Sequence, residues 1–268
     1  MNKIQSFDEY KSLTEKAKLL PHRMSNCFFL PATVKSLIEQ DRLSFQEIKN
    51  GIMLLESESG FYRCYYYLTP DIPSEVLKLD RPGVIEFVFQ NSLSEKQREQ
   101  IEILEKMGFV LGRESARISA PIPEKLPDRE STGEAEVSPA LSGDLAECRN
   151  LFYSSFDPLY SYLPDDEELA EAIAGKKVLT VRADDKIAGA LYYEIEKTVA
   201  AVRLLTVRPE CQHRGLAQKL VTAYMRTASE SAGSFSHWVN KSNDGAIMLY
   251  SKFGYAFDGR YANEYILK

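Results

Sequence analysis

The stretch Leu204-Leu205-Thr206-Val207-Arg208-Pro209-Glu210-Cys211-Gln212-His213-Arg214-Gly215-Leu216-Ala217 constrains this chain most. An apolar strand is halted by a proline and passes through a short polar turn into a helix. Leu216, Leu220 and Tyr224 recur at helical spacing, which places Gly215 at the helix start. The first turn of a helix leaves backbone N–H groups without partners and carries the positive end of the helix dipole, so such a turn suits a phosphate or pyrophosphate. Gly215 lets the backbone come close to an anion because no Cβ intervenes. Taken alone, Gln-x-x-Gly-x-Ala is also the spacing of an ordinary strand-to-helix turn.

Its surroundings give the turn a meaning. Downstream, Phe235 to Val239 reads as a strand, and Asn243 to Tyr255 reads as a helix closed by Gly254. The order is a strand with Val207-x-Pro209, the Gln212-x-x-Gly215-x-Ala217 turn, a helix, a strand, then Asn243-x-x-Ala246-x-x-x-Tyr250-x-x-x-Gly254-Tyr255. That ensemble resembles the GCN5-related N-acetyltransferase (GNAT) family. The resemblance implies acetyl-CoA as the coenzyme, with the backbone of Gln212, His213, Arg214, Gly215, Leu216 and Ala217 around its pyrophosphate. Leu205 and Val207 would pair with its pantetheine arm as an added strand. It implies that Tyr250 is the general acid toward the coenzyme sulfur, and that Asn243 either lies beside the coenzyme or caps its own helix. Glu194, on the preceding strand, is the candidate general base or a solvated carboxylate. The loop walling the acceptor site would hold Phe156, Tyr160 and Tyr162, in a stretch rich in aromatic residues.

With 268 residues, of which 44% are hydrophobic and 27% charged, the chain has material for one large or two modest soluble domains. A formal net charge of −6 argues against a nucleic-acid partner, and no apolar run reaches membrane-spanning length. The first ten residues lack a secretory signal's apolar core, so a cytoplasmic location is expected. Cys27, Cys64, Cys148 and Cys211 form no C-x-x-C pair and read as reduced thiols; His22, His213 and His237 are dispersed, and no metal site is expected.

In order, the patterning predicts helices over Phe7–Leu20 and Thr33–Asn50, a hairpin of Gly51–Glu56 with Phe61–Leu68, a strand Val84–Phe89 and a helix Ser94–Met107. Prolines and charges from Ser119 to Ser138 mark a linker. Beyond it come a strand from Glu134, a helix from Leu145 to Phe156, a second helix after Pro164, and a hairpin of Lys177–Arg182 with Ile187–Ile195 around Asp184-Asp185-Lys186. The two halves echo one another: Leu104 to Phe109 matches Leu249 to Tyr255 in type, and the hairpins correspond.

The fold expected is α/β: tandem GNAT-like domains, each a mixed, mostly antiparallel twisted sheet flanked by helices. Residues 1–125 form a degenerate domain that lacks the coenzyme-binding turn and helix, 126–133 a linker, and 134–268 the acetyltransferase domain. The first domain is expected to bind no coenzyme and to cover the catalytic domain or shape its acceptor pocket. The function expected is acetyl transfer from acetyl-CoA to a primary amine of a small molecule or peptide by direct attack, in a monomer or homodimer. The alternative is a non-catalytic acyl-CoA-binding sensor or scaffold.

Overall fold

The computed structural model describes residues 1–71, 76–124, 136–183 and 185–268. The expected linker at 126–133 and the turn residue Asp184 lie outside them. Among the described residues, no helix is long and apolar enough to cross a membrane, and all four cysteines are free thiols.

The chain forms two compact units, Met1–Glu114 with Tyr261–Lys268, and Ser115–Arg260. The first begins with β1 (Asn2–Lys3), α1 (Phe7–Lys18), β2 (Met24–Ser25) and α2 (Pro31–Glu39). It continues through β3 (Leu43–Ile48), β4 (Gly51–Ser57), β5 (Tyr62–Leu68), β6 (Gly83–Gln90), α3 (Glu95–Lys106) and the first residues of β7 (Val110–Pro121). The second unit takes the rest of β7, then β8 (Val137–Pro139), α4 (Leu145–Ser155), α5 (Asp166–Ala174), β9 (Val178–Ala183), β10 (Lys186–Glu196) and β11 (Val199–Val207). It ends with α6 (Leu216–Ala228), β12 (Ser234–Asn240), α7 (Asp244–Ser251) and the start of β13 (Ala256–Leu267), whose remainder belongs to the first unit.

Both units are α/β, with a mixed and mostly antiparallel sheet flanked by helices. In the first, the strands run β1-β3-β4-β5-β6, and the end of β13 lies beside β6. One face packs on α1 and α2 through Tyr10, Ala17, Val34, Leu37, Leu54 and Tyr67. The other packs on α3 through Met53, Tyr66, Ile85, Ile101, Leu104 and Phe109. Ser94 caps α3 in a reciprocal box with Gln97, and Gly108 follows at φ +100°, a conformation that ends the helix where only glycine is unstrained. In the second unit the order is β7-β12-β11-β10-β9-β8. Its α6 face is an aromatic chain, with Tyr193, Tyr224, Phe235 and Tyr255 in succession at ring separations of 5.0, 5.5 and 6.4 Å. Its α4 and α5 face is built from Phe152, Leu169, Val178, Tyr192 and Leu204.

Two sequence expectations are corrected here. The helix expected over Thr33–Asn50 stops at Glu39, and Phe45 and Ile48 lie in β3, paired with β4. Asp41 adopts φ 57° and breaks the helical path, after which Leu43 to Ile48 complete a β-ladder. Ser119–Pro121, expected to open the linker, instead pair with Ser236–Ser234 of β12, and Ile118 and Ala120 enter the second unit's core. The compact units therefore divide inside β7 and β13 rather than at 126–133.

Each unit repeats one motif. An antiparallel hairpin, β4–β5 or β10–β11, is followed by a strand parallel to its second member, β6 or β12. The parallel ladder is short in both. It covers Tyr62 and Arg63 of β5 in the first unit and Val199 to Val202 of β11 in the second. Beyond those residues each pair splays.

Candidate active site

The splay of β11 from β12 forms the site. After Val202 pairs with His237 the parallel ladder ends, while β11 continues to Val207 on its other edge against β10. A bulge falls at the same level: the register passes from Tyr193↔Val202 to Tyr192↔Leu204, leaving Arg203 as the extra residue. Bulges bend a strand and re-aim the side chain they carry. Arg208 donates its amide to Ala188 of β10 at 2.8 Å, so by strand alternation Leu205 and Val207 turn their backbone groups to the opposite, open edge.

His237 caps the vertex. Its Nδ1 lies 3.0 Å from the Val202 carbonyl, in place of the next rung of the ladder. A carbonyl only accepts, so Nδ1 carries the proton. Burial lowers the imidazole pKa to about 4, partly offset by this hydrogen bond, which keeps the ring neutral. The ring lies against that of Tyr250, with centroids 4.7 Å apart. Tyr250 projects from α7 into the core at 1% exposure, and among the described residues its hydroxyl has no hydrogen-bond partner. Burial raises the phenol well above its ordinary pKa, and the neighbouring Tyr224 adds to the shift.

Beyond β11 the chain turns through Pro209–Cys211 into α6. His213 and Gly215 both adopt left-handed conformations, at φ 60° and 76°. Gln212 donates its side-chain amide to the Val207 carbonyl at 3.0 Å and closes the turn. Among the described residues no side chain caps α6. Gln212, His213, Arg214 and Gly215 are exposed, Ala217 is half-buried, and Leu216 anchors the helix in the core. A Cβ built on Gly215 meets nothing within 4 Å, so the space above the first turn is open. An uncapped helix start behind a left-handed glycine is a competent anion seat. Asn243 accepts the Ala246 amide at 3.0 Å and therefore caps α7.

On the α4 and α5 face, Glu194 accepts a hydrogen bond from the hydroxyl of Tyr192 and lies 3.6 Å from Arg203 Nε. Tyr162 donates to Glu168 of α5, and the Arg203 guanidinium sits 5.8 Å from the Tyr162 ring centroid. Phe156 packs on the core cluster of that face, and Tyr160 is half-buried in the same loop. The candidate residues thus gather at two places: the splay with its turn, and the cluster at the bulge. Clefts of about 760 Å³ beside α3 and about 740 Å³ beside α4 involve none of them.

Sequence reasoning missed Arg203 and His237 as site residues. His237 falls on the same strand face as the inward-facing Phe235 and Val239 along β12, a pattern that marks a core-facing histidine. Arg203 interrupts an alternating strand, which is the signature a bulge leaves.

In fold, the chain is similar to a GCN5-related N-acetyltransferase from Sphaerobacter thermophilus, with 12% identity and a TM-score of 0.57 over 94% of this chain and 88% of that one. An acetyltransferase from the GNAT family of Colwellia psychrerythraea gives 12% and 0.50 over 99% of this chain and 98% of that one. A GCN5-related N-acetyltransferase from Kribbella flavida gives 15% and 0.50 over 87% and 92%. At these identities the likeness is one of fold. No curated protein matches the sequence. Residues 145–255 match the model of the acetyltransferase (GNAT) family, and the second unit therefore carries a GNAT domain.

Proposed function

We propose that the second unit transfers an acetyl group from acetyl-CoA to a primary amine of a small molecule or peptide by direct attack. The observation that carries the reading is the open β11 edge leading into the uncapped, glycine-entered start of α6. The GNAT match over 145–255 supports it. In this reading acetyl-CoA supplies a thioester-activated acetyl group. Backbone N–H groups from Gln212 to Ala217 hold the pyrophosphate, and Leu205 and Val207 hydrogen-bond the pantetheine arm.

Glu194 takes a proton from the incoming ammonium, and the amine nitrogen then bonds to the acetyl carbon as the carbon–sulfur bond breaks. The second proton of the nitrogen passes to the departing sulfur, which leaves as a thiol, so atoms and charge balance. Tyr250 faces an energetic constraint here. A thiol titrates near 8.5, while burial holds this phenol above its usual value near 10. Net proton transfer from Tyr250 to the thiolate is uphill, so Tyr250 acts by donating a hydrogen bond to the departing sulfur.

The first unit, in the same reading, is a degenerate relative that binds no coenzyme. Its repeated hairpin-and-splay motif supports the kinship, and the filled edge of β5 supports the loss.

Full-length protein with saturating acetyl-CoA and a panel of primary amines should release free coenzyme A thiol. Coenzyme binding without thiol release on any amine would replace the enzyme with an acyl-CoA sensor or scaffold. Tyr250→Phe should lower kcat roughly 10- to 100-fold at unchanged KM for acetyl-CoA. It should also raise stability by up to about 1 kcal/mol, because an unsatisfied buried hydroxyl is removed. Unchanged kcat would remove Tyr250 from the chemistry.

A further inference from the structure

The cluster at the β11 bulge is more ordered than a surface ion pair requires. Arg203 is the bulged residue, so its side chain leaves the strand at the vertex, one residue beyond the last rung of the β11–β12 ladder. Glu194 stands across from Ala201 on β10, at the same level. Tyr192, 6% exposed, fixes one oxygen of Glu194 from below. Tyr162, tethered to Glu168, lies beside the guanidinium.

Among the described residues, Arg203 comes no nearer to Glu194 than 3.6 Å, at Nε, beyond hydrogen-bond length. A half-exposed pair at that distance adds little stability. The arrangement instead leaves the guanidinium, on a side chain 38% exposed, without a hydrogen bond to Glu194 and beside a carboxylate whose position is set by a buried tyrosine. A guanidinium fork matches a carboxylate in two parallel hydrogen bonds, and Glu194 matches an ammonium.

We propose that Arg203 selects the acceptor by binding a carboxylate on the same molecule that brings its amine to Glu194, so that the acceptor is an α-amino acid or a close zwitterionic relative. This rests on the acetyl-transfer reading for the amine's fate. It narrows the acceptor to molecules that carry both charges within a few bonds. A peptide N-terminus or a polyamine has no carboxylate at that spacing and would leave the fork unpaired.

The test uses full-length protein and three matched probes: a free α-amino acid, its carboxamide, and the amine lacking the carboxyl carbon, with the amino acid varied over apolar, polar and charged side chains. The best free amino acid should exceed its carboxamide and its amine in kcat/KM by on the order of 10- to 100-fold. Arg203→Gln should erase most of that preference by raising KM for the amino acid, with KM for acetyl-CoA unchanged, and Arg203→Lys should restore part of it. Calorimetric binding of the same probes to the protein saturated with coenzyme A reads the site without turnover. Carboxylate-dependent binding that disappears in Arg203→Gln upholds the site even where acetyl transfer fails. Equal use and equal binding of all three probes by the wild type, or an equal loss for all three in Arg203→Gln, overturns it.

Discussion

Strands β5 and β11 hold the same place in their units, each the second arm of a hairpin and each parallel to the strand that follows it. Their open edges differ. On β5 the edge beyond Arg63 is filled by the chain itself. Met24 and Ser25 pair antiparallel with Leu68 and Tyr67, and the Asn26 side chain supplies the intervening rungs. It donates to the Cys64 carbonyl at 3.2 Å and accepts the Tyr66 amide at 2.8 Å. On β11 the edge beyond Val202 faces the splay; His237 caps the vertex carbonyl and the Gln212 side chain caps the Val207 carbonyl at the far end, and among the described residues no strand fills the stretch between them. A splayed strand must satisfy its backbone groups somehow. One unit does so with its own segment, whereas the other leaves an edge that a ligand can complete. The turn and helix that would seat a pyrophosphate follow β11, and among the described residues between β5 and β6 there is no helix.

The sharpest way to break this contrast is Gly215→Glu. A Cβ at this position meets nothing within 4 Å, and the left-handed conformation costs a non-glycine residue about 1–2 kcal/mol, so the protein should stay folded. A carboxylate in the anion seat should weaken acetyl-CoA binding by at least about 100-fold, measured by calorimetry. Retained affinity would mean that the open edge and turn of the second unit are not the coenzyme site.

Asn26→Ala tests the other side. It strips two rungs from β5 and leaves the Cys64 carbonyl and the Tyr66 amide without partners, which should destabilise the first unit by roughly 2 kcal/mol. Hydrogen exchange should show faster exchange at Tyr66, with acetyl-CoA affinity unchanged. A gain of a second coenzyme site would instead make residues 24–26 the sole obstacle to binding in that unit.

Much of this difference was legible in the chain. The Pro209 stop, Gly215 and the Leu216-Leu220-Tyr224 spacing are local signals, and they located the turn and α6 because local geometry decides them. The absence of such a turn after β5 was equally visible. The plug was not: Met24 to Asn26 lie some forty residues before the strand they complete, and a two-residue strand has no periodicity to detect. Nor was the division of β7 and β13 between units, since the pairing of Ser115–Pro121 with β12 depends on a partner more than a hundred residues away. The helix expected through Phe45 failed for a related reason, because β4 supplies a ladder that outweighs the local pattern.

The smallest effect distinguishes the two vertex caps themselves. Asn26 and His237 both satisfy backbone groups of a splayed strand with a side chain, but only the imidazole titrates. In the unfolded chain a histidine titrates near 6.5, and burial lowers His237 to about 4. Between those values the unfolded state binds the extra proton. The stability tied to a neutral His237 is therefore complete above pH 6.5, declines as pH falls toward 4, and is flat below that. His237→Gln keeps an amide donor for the Val202 carbonyl and removes the titration. Denaturant unfolding of both proteins at pH 7 and pH 4 should give a wild type that loses on the order of 2 kcal/mol more than the variant across that interval, with the carboxylates common to both cancelling. Parallel pH profiles would show that the imidazole is not held neutral at the vertex. The opening of β11 would then need another cause than the side chain that replaces its next rung.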